Sequence, residues 1–280
     1  MDLGFERAGY EIGLAFDKNP DSIASYKHNR NEPHNAYCED IRDITLARLD
    51  ELHGGLFTPE GVIGGPPCQS FSRANPLVED EDPRHELPLV YARLLSALNE
   101  RSPVGFFVLE NVPGLCSEKH ATRFEEICGA LEGAGFTVTS AVLNASDYQT
   151  PQSRDRLFVV GINPELFPHV VWTPPAPTTT DRQNVTVRAA IANLVEPVRF
   201  SRNVNPDDFP VHRNHWCMRP KSPKFSRPGA LVPGRSGSRS FKTLSWDQPS
   251  YTVAFGNREV HIHPDCHRRL SVYEAMRLQG

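Results

Sequence analysis

The chain reads as an α/β fold on a largely parallel sheet, joined to a second, smaller region of irregular structure. Three observations predict this. Up to Gly161, short β-branched or aromatic runs alternate with stretches of helical apolar spacing, the pattern of strand-helix-strand units. Two strand-like runs lead into residues able to do chemistry, Cys68 and Glu110, at the carboxyl ends where open α/β sheets hold their ligands. After Gly161 the composition shifts toward Pro, Arg, Ser and Asn, and periodicity fades until Leu270.

Each element has a local reason. Phe5 to Gly9 reads as the end of a helix closed by Gly9, and Glu11 to Phe16 as a buried strand. A helix follows from about Asp21 to His28, then a short strand ending near Cys38 and a helix from Leu46 to Leu52. Val62-Ile63 begins a strand that runs into Gly64-Gly65-Pro66-Pro67-Cys68. Leu87 to Leu98 has helical apolar spacing, and Val104 to Leu109 is a short strand that delivers Glu110. A helix near Arg123 to Leu131 ends at Gly133, and Thr137 to Leu143 with Leu157 to Gly161 reads as an antiparallel pair around Arg154 and Arg156. Between Pro174 and Pro249 the interleaved Trp216, Phe225, Phe241 and Trp246 favour a small irregular domain over disorder. From Leu270 to Leu278 a helix returns, with Ser271 as N-cap and Glu274 completing a capping box.

A formal charge of −4 over 280 residues excludes a uniformly basic nucleic-acid coat. Charge is uneven, however: Ser201 to Lys242 carries nine Lys and Arg against only Asp207 and Asp208. The six cysteines form no C-x-x-C pair and no dense framework, which points to a reducing cytoplasm. No apolar run reaches membrane-spanning length, and the first residues lack the features of a signal peptide. His261, His263, Cys266 and His267 are dense in potential ligands, but their spacing matches no standard site, so no metal is expected.

Cys68 stands apart from the other thiols. Two prolines fix φ before it and two glycines allow close backbone approach, so the thiol is expected on display rather than in a core. The string Gly64 to Ser72, followed in order by Glu110-Asn111-Val112 and Gln152-Ser153-Arg154-Asp155-Arg156, resembles the cytosine-5 DNA methyltransferase family. The likeness extends over nearly the whole chain. It implies a Rossmann-like methyltransferase sheet with a smaller target-recognition domain: a catalytic domain over 1–170, recognition over 171–255, and a return to the catalytic domain over 256–280.

What the resemblance implies for the site is specific. Cys68 is the nucleophile that adds to carbon 6 of cytosine, and Glu110 stabilises the charge that develops at ring nitrogen 3. Arg154 contacts the flipped base and Arg156 supports the pocket, with Gln69, Ser70, Asn111 and Gln152 binding substrate and Ser70 to Asn75 closing on DNA. S-adenosylmethionine is the implied donor, held by Asp17 at its ribose, Asp40 and Ile41 at its adenine, and Pro67 and Leu87 along the pocket. The implied partner is double-stranded DNA, gripped by the basic region, in a prokaryotic cytoplasm beside the nucleoid; a cognate restriction endonuclease or a complementing polypeptide would also fit.

Two family features have no counterpart here. The opening strand with its glycine-rich turn would precede Met1, and the final motif would follow Gly280. Two readings therefore stand: a DNA (cytosine-5-)-methyltransferase, or a catalytically impaired fragment or DNA-binding subunit of a split enzyme. The tRNA-methylating branch, which lacks a large recognition region, is disfavoured by the long basic insert.

Overall fold

The computed structural model describes residues 1–30, 35–67, 83–201, 205–238, 240–254 and 259–280. The chain forms two compact units, residues 1–142 with 156–174 and residues 143–155 with 175–280. This division differs from the expected one, since the expected return segment 256–280 groups with the second unit.

The first unit opens with α1 (Asp2–Arg7), β1 (Ala15–Asp17), α2 (Pro20–His28), β2 (Ala36–Cys38) and α3 (Leu46–His53). It continues with β3 (Gly61–Gly64), α4 (Leu87–Arg101), β4 (Phe106–Asn111), α5 (Ala121–Gly133) and β5 (Thr137–Asn144), whose last residues enter the second unit. Next, β6 (Gln152–Ser153) belongs to the second unit, and β7 (Asp155–Ile162) returns to the first. A four-stranded sheet has the order β3-β4-β7-β5. In it β3 and β4 are parallel, while β4 and β7 run antiparallel from Phe106↔Ile162 to Asn111↔Leu157. β1 and β2 make a separate parallel pair, with Ala15↔Ala36 and Asp17↔Cys38. Among the described residues, the expected single sheet is therefore in two pieces. The expected strand from Glu11 also shortens to three residues, because β1 finds a partner only along β2.

β4 shows why its sequence makes a strand with two different faces. Phe107, Leu109 and Asn111 are buried, whereas Phe106, Val108 and Glu110 are half-buried. Phe107 packs with Leu95, Leu109 and Leu131 in the core of this unit, all fully buried. Gly161 lies opposite Phe107, and a Cβ there would come within 2.0 Å of the Phe107 ring. Only glycine leaves room for that ring. α4 turns Leu87, Tyr91, Leu95 and Leu98 toward the core at helical spacing. The Tyr91 hydroxyl donates to the carbonyl of Val62 at 2.9 Å, fastening the helix to β3.

The second unit is built from short pieces: α6 (Val187–Ile191), β8 (Val198–Arg199), β9 (Trp216–Cys217), β10 (Ser236–Ser238), β11 (Phe241–Thr243), β12 (Ser250–Tyr251), β13 (His261–Ile262) and α7 (Val272–Gln279). Its core gathers Val187, Ile191, Leu244, Leu270 and Leu278. α7 starts with the capping box expected from Ser271 and Glu274. The Glu274 carboxylate also takes both terminal nitrogens of Arg268, at 2.7 and 2.8 Å, in a pair that is 2% and 1% exposed. Such a pair is tolerable in a core because its acceptor and donor sites are filled.

Candidate active site

β3 and β4 are parallel neighbours, so their carboxyl ends lie side by side. Gly64 pairs with Leu109, which sets Gly65 next to Glu110. A Cβ on Gly65 would stand 3.4 Å from Glu110 Oε2, so the bare glycine lets the carboxylate approach the turn. Asn111 then ties the turn down. Its Nδ2 donates to the carbonyl of Pro66 at 3.4 Å, and its Oδ1 accepts the N–H of Val112 at 2.8 Å, with the side chain almost fully buried. Pro67 is exposed at the end of this turn. Cys68, which follows it in sequence, lies outside the described residues, as do Gln69, Ser70 and the remainder of the expected closing loop.

Glu110 is fixed from the other side by β7. Glu110 pairs with Phe158, which puts Arg156, two residues away, on the same face as a diagonal neighbour. Arg156 Nε donates to Glu110 Oε1 at 2.8 Å, with side chains 20% and 27% exposed. The guanidinium thus holds one carboxylate oxygen and leaves Oε2 on the Gly65 side. Glu110, Arg156, Asn111 and the Gly65-Pro66-Pro67 turn come together in the first unit. Arg154, half-buried between β6 and β7, belongs to the second.

Gln152 also lies in the second unit, buried within β6. Its Oε1 accepts the Val253 N–H and its Nε2 donates to the Leu278 carbonyl, both at 3.2 Å. The side chain that the sequence suggested for substrate is spent on joining three segments of its own unit. Its carboxamide gave no hint of this, since both partners are about a hundred residues away or more.

Of the residues expected at the cofactor end, Asp17 closes β1, and Asp40 and Ile41 follow directly after β2. Asp17 is exposed; its Oδ1 caps the N–H of Asn19 at 2.8 Å, leaving Oδ2 for a ligand. Ile41 is half-buried just past β2, and Leu87 is buried at the start of α4. This set suits an adenosine, with a carboxylate oxygen for a ribose diol and apolar surface for a base. Asp40 is the qualified member. Its oxygens are taken by Arg42 through the backbone N–H at 3.1 Å, through Nε at 3.0 Å, and through Nη2. Those hydrogen bonds hold the Asp40 carboxyl at about 2. Sequence reading missed Arg42, although an Asp-x-Arg step after a strand could have signalled it.

Comparison with known proteins follows the same lines. The family described as C-5 cytosine-specific DNA methylase matches over residues 1–280. The chain is 30% identical over 311 aligned positions to Type II methyltransferase M.FnuDI of Fusobacterium nucleatum, covering 100% of this chain and 80% of that relative. It is 31% identical over 301 positions to Type II methyltransferase M.MthTI of Methanothermobacter thermautotrophicus, covering 100% and 82%. Among solved structures, a prophage-encoded E. coli protein described as a DNA modification methyltransferase superposes with a TM-score of 0.74 at 22% identity. That match covers 98% of this chain and 83% of the other, and supports the fold.

Proposed function

Because the chain belongs to the C-5 cytosine-specific DNA methylase family, we propose that it methylates DNA at carbon 5 of cytosine with Cys68 as nucleophile and Glu110 and Arg156 as its working pair. The observation that carries the assignment is the Arg156–Glu110 pair beside the Gly65-Pro66-Pro67 turn that leads into Cys68.

Carbon 5 of cytosine is too weak a nucleophile to take a methyl group unaided. Addition of the Cys68 thiolate to carbon 6 forms an S–C bond and moves electron density onto ring nitrogen 3. Glu110 meets that density with a proton or hydrogen bond from Oε2, while Arg156 holds Oε1 still. Carbon 5, now part of an enamine, becomes the methyl acceptor. Loss of the carbon 5 proton and departure of the Cys68 thiolate restore the aromatic base. S-adenosylmethionine, the methyl donor of the family, supplies an electrophilic methyl sulfonium. Asp17 would accept from its ribose hydroxyls, with Asp40, Ile41, Pro67 and Leu87 along its adenine and pocket.

The target base must leave the duplex stack, at a cost of a few kcal/mol. Arg154, Gln69 and Ser70 are assigned to the flipped base, and the Lys and Arg residues of 201–242 to phosphates of double-stranded DNA. Asn111 and Gln152 are assigned to bracing, given their buried amides. The curated relatives are Type II methyltransferases, which favours a restriction-modification setting with a cognate nuclease, in a prokaryotic cytoplasm beside the nucleoid. No helix among the described residues is long and apolar enough to cross a membrane.

The test is covalent trapping. A duplex carrying 5-fluorocytosine, mixed with donor and protein, should give a denaturation-resistant adduct, because fluorine at carbon 5 cannot leave as a proton does. Cys68→Ser should abolish it; an adduct that survives this change would remove the nucleophile assignment. One observation favours a second reading, in which a complementing polypeptide is required: β1–β2 and β3–β4 stand in separate sheets. Micromolar donor binding by this chain alone would exclude that reading.

A further inference from the structure

Away from the methylation chemistry, the second unit brings His263, Asp265 and His267 together. One ring nitrogen of each histidine and one carboxylate oxygen of Asp265 all lie within 4.8 Å of one another. We propose that these three side chains bind a single divalent transition-metal ion of the zinc type. The set differs from the dense His261, His263, Cys266 and His267 run of the sequence, at which no metal was expected. His261 is fully buried with Nδ1 against Glu259 Oε1 at 3.0 Å, and the Cys266 thiol turns to the carbonyl of Pro264. Asp265, which sequence reading passed over, takes their place.

The backbone explains how residues four apart converge outside a helix. The N–H of Cys266 donates to the carbonyl of His263 at 2.8 Å, closing a tight turn through Pro264 and Asp265. Cys266 sits at φ 64, a left-handed conformation that non-glycine residues rarely adopt. His263 and His267 leave this turn with ring centroids 5.3 Å apart.

Each candidate ligand is also held from behind. Asp265 Oδ1 accepts the indole N–H of Trp246 at 2.8 Å, which leaves Oδ2 to the cluster, and His263 Nδ1 accepts the Asp265 N–H at 3.3 Å, which leaves Nε2 as the ring nitrogen for an ion. The same indole meets the His263 ring edge-on, with centroids 5.0 Å apart. His267 Nε2 lies 2.8 Å from Glu196 Oε1, so donation to that carboxylate frees the Nδ1 lone pair. Carboxylate-histidine contacts of this kind fix the tautomer and orientation of metal-bound imidazoles. Two imidazoles and one carboxylate form a donor set for Zn²⁺ or Co²⁺, with water completing the coordination. Ligand atoms around such an ion lie about 3.3 Å apart, so atoms within 4.8 Å of one another close by up to about 1.5 Å when the ion binds.

The experiment uses the full chain, Zn²⁺ in calorimetry and Co²⁺ in visible absorption. One ion per chain is expected, with cobalt d–d bands and no sulfur-to-metal charge transfer. Asp265→Asn and His267→Asn change exposed side chains, so both should keep the fold by circular dichroism. Each should weaken Zn²⁺ at least tenfold and bleach the cobalt bands. The proposal is overturned if Zn²⁺ does not bind, if both variants bind it as the parent does, or if charge-transfer bands show thiolate ligands.

Discussion

Arg156 on β7 reaches diagonally to Glu110 on β4, and the 2.8 Å contact between Nε and Oε1 commits one carboxylate oxygen while leaving the other on the glycine side. A carboxylate positioned in this way depends on the geometry of its partner as much as on the charge. The planar guanidinium offers Nε at a fixed angle, and an ammonium does not.

Arg156→Lys should therefore lower the methylation rate at least tenfold despite keeping the cation, and Arg156→Ala should lower it about 10²-fold. Single-turnover transfer of a labelled methyl group to a duplex substrate measures both. DNA affinity should change far less than the rate. Equal losses in affinity and rate would make Arg156 a phosphate contact instead.

Asn111 is expected to act through the turn it holds. Asn111→Ala removes the donor to Pro66 and leaves the Val112 N–H without its side-chain acceptor, a destabilisation of about 1–3 kcal/mol for buried groups. The melting temperature should fall by several degrees and the rate of adduct formation should drop with it. If Asn111 instead binds substrate directly, the melting temperature will stay and the KM for DNA will rise.

Gly161→Ala tests the packing beneath the site. An added methyl would overlap the ring of Phe107, which is fully buried and cannot swing into solvent. Overpacking of this kind costs about 1–3 kcal/mol, and here the strand ladder must shift as well. Chemical denaturation should show an earlier midpoint, and Gly161→Ala combined with Phe107→Leu should recover part of it.

What could be read in advance divides by the range of the interactions involved. The Ser271–Glu274 capping box and the helix at Leu87 rest on neighbours within a turn or two, and both stand as expected. The place of Glu110 near the carboxyl end of its strand was legible because that strand is a local run. Its ion pair with Arg156 depends on the β4–β7 register, and the sequence cannot express a register. The strand expected from Glu11 failed for the same reason, since strand length is set by a partner and not by the run itself. Asp265 was overlooked because its role arises from a left-handed turn at Cys266, which residue type does not predict.

Asp40 supplies a pH prediction. Its hydrogen bonds to Arg42 hold the folded-state carboxyl at about 2, below the ordinary value of 3.8. The depressed value means that the pair favours the folded state above pH 4, and that this contribution disappears as the pH falls from 4 to 2. Arg42→Ala should lower the melting temperature slightly at pH 7, and the gap to the parent should close on acidification toward pH 3. Both groups face solvent in part, so added salt should narrow the gap as well. A gap that widens in acid would show that Arg42 acts through another partner.

The buried Arg268–Glu274 pair should dominate the stability of the second unit. Glu274 receives two bonds from Arg268 and one from the Ser271 N–H, so Glu274→Ala leaves the buried guanidinium with Glu196 as its one remaining carboxylate and removes half of the capping box. Removal of one partner from a buried pair typically costs about 3–5 kcal/mol, against about 1 kcal/mol for loss of an N-cap in Ser271→Ala. Glu274→Ala should thus lower the melting temperature several times as much as Ser271→Ala. The double change Arg268→Met with Glu274→Leu should recover most of the loss, because it removes the charge and its desolvation cost together. If the double variant is no more stable than Glu274→Ala, the cap and not the ion pair carries the energy.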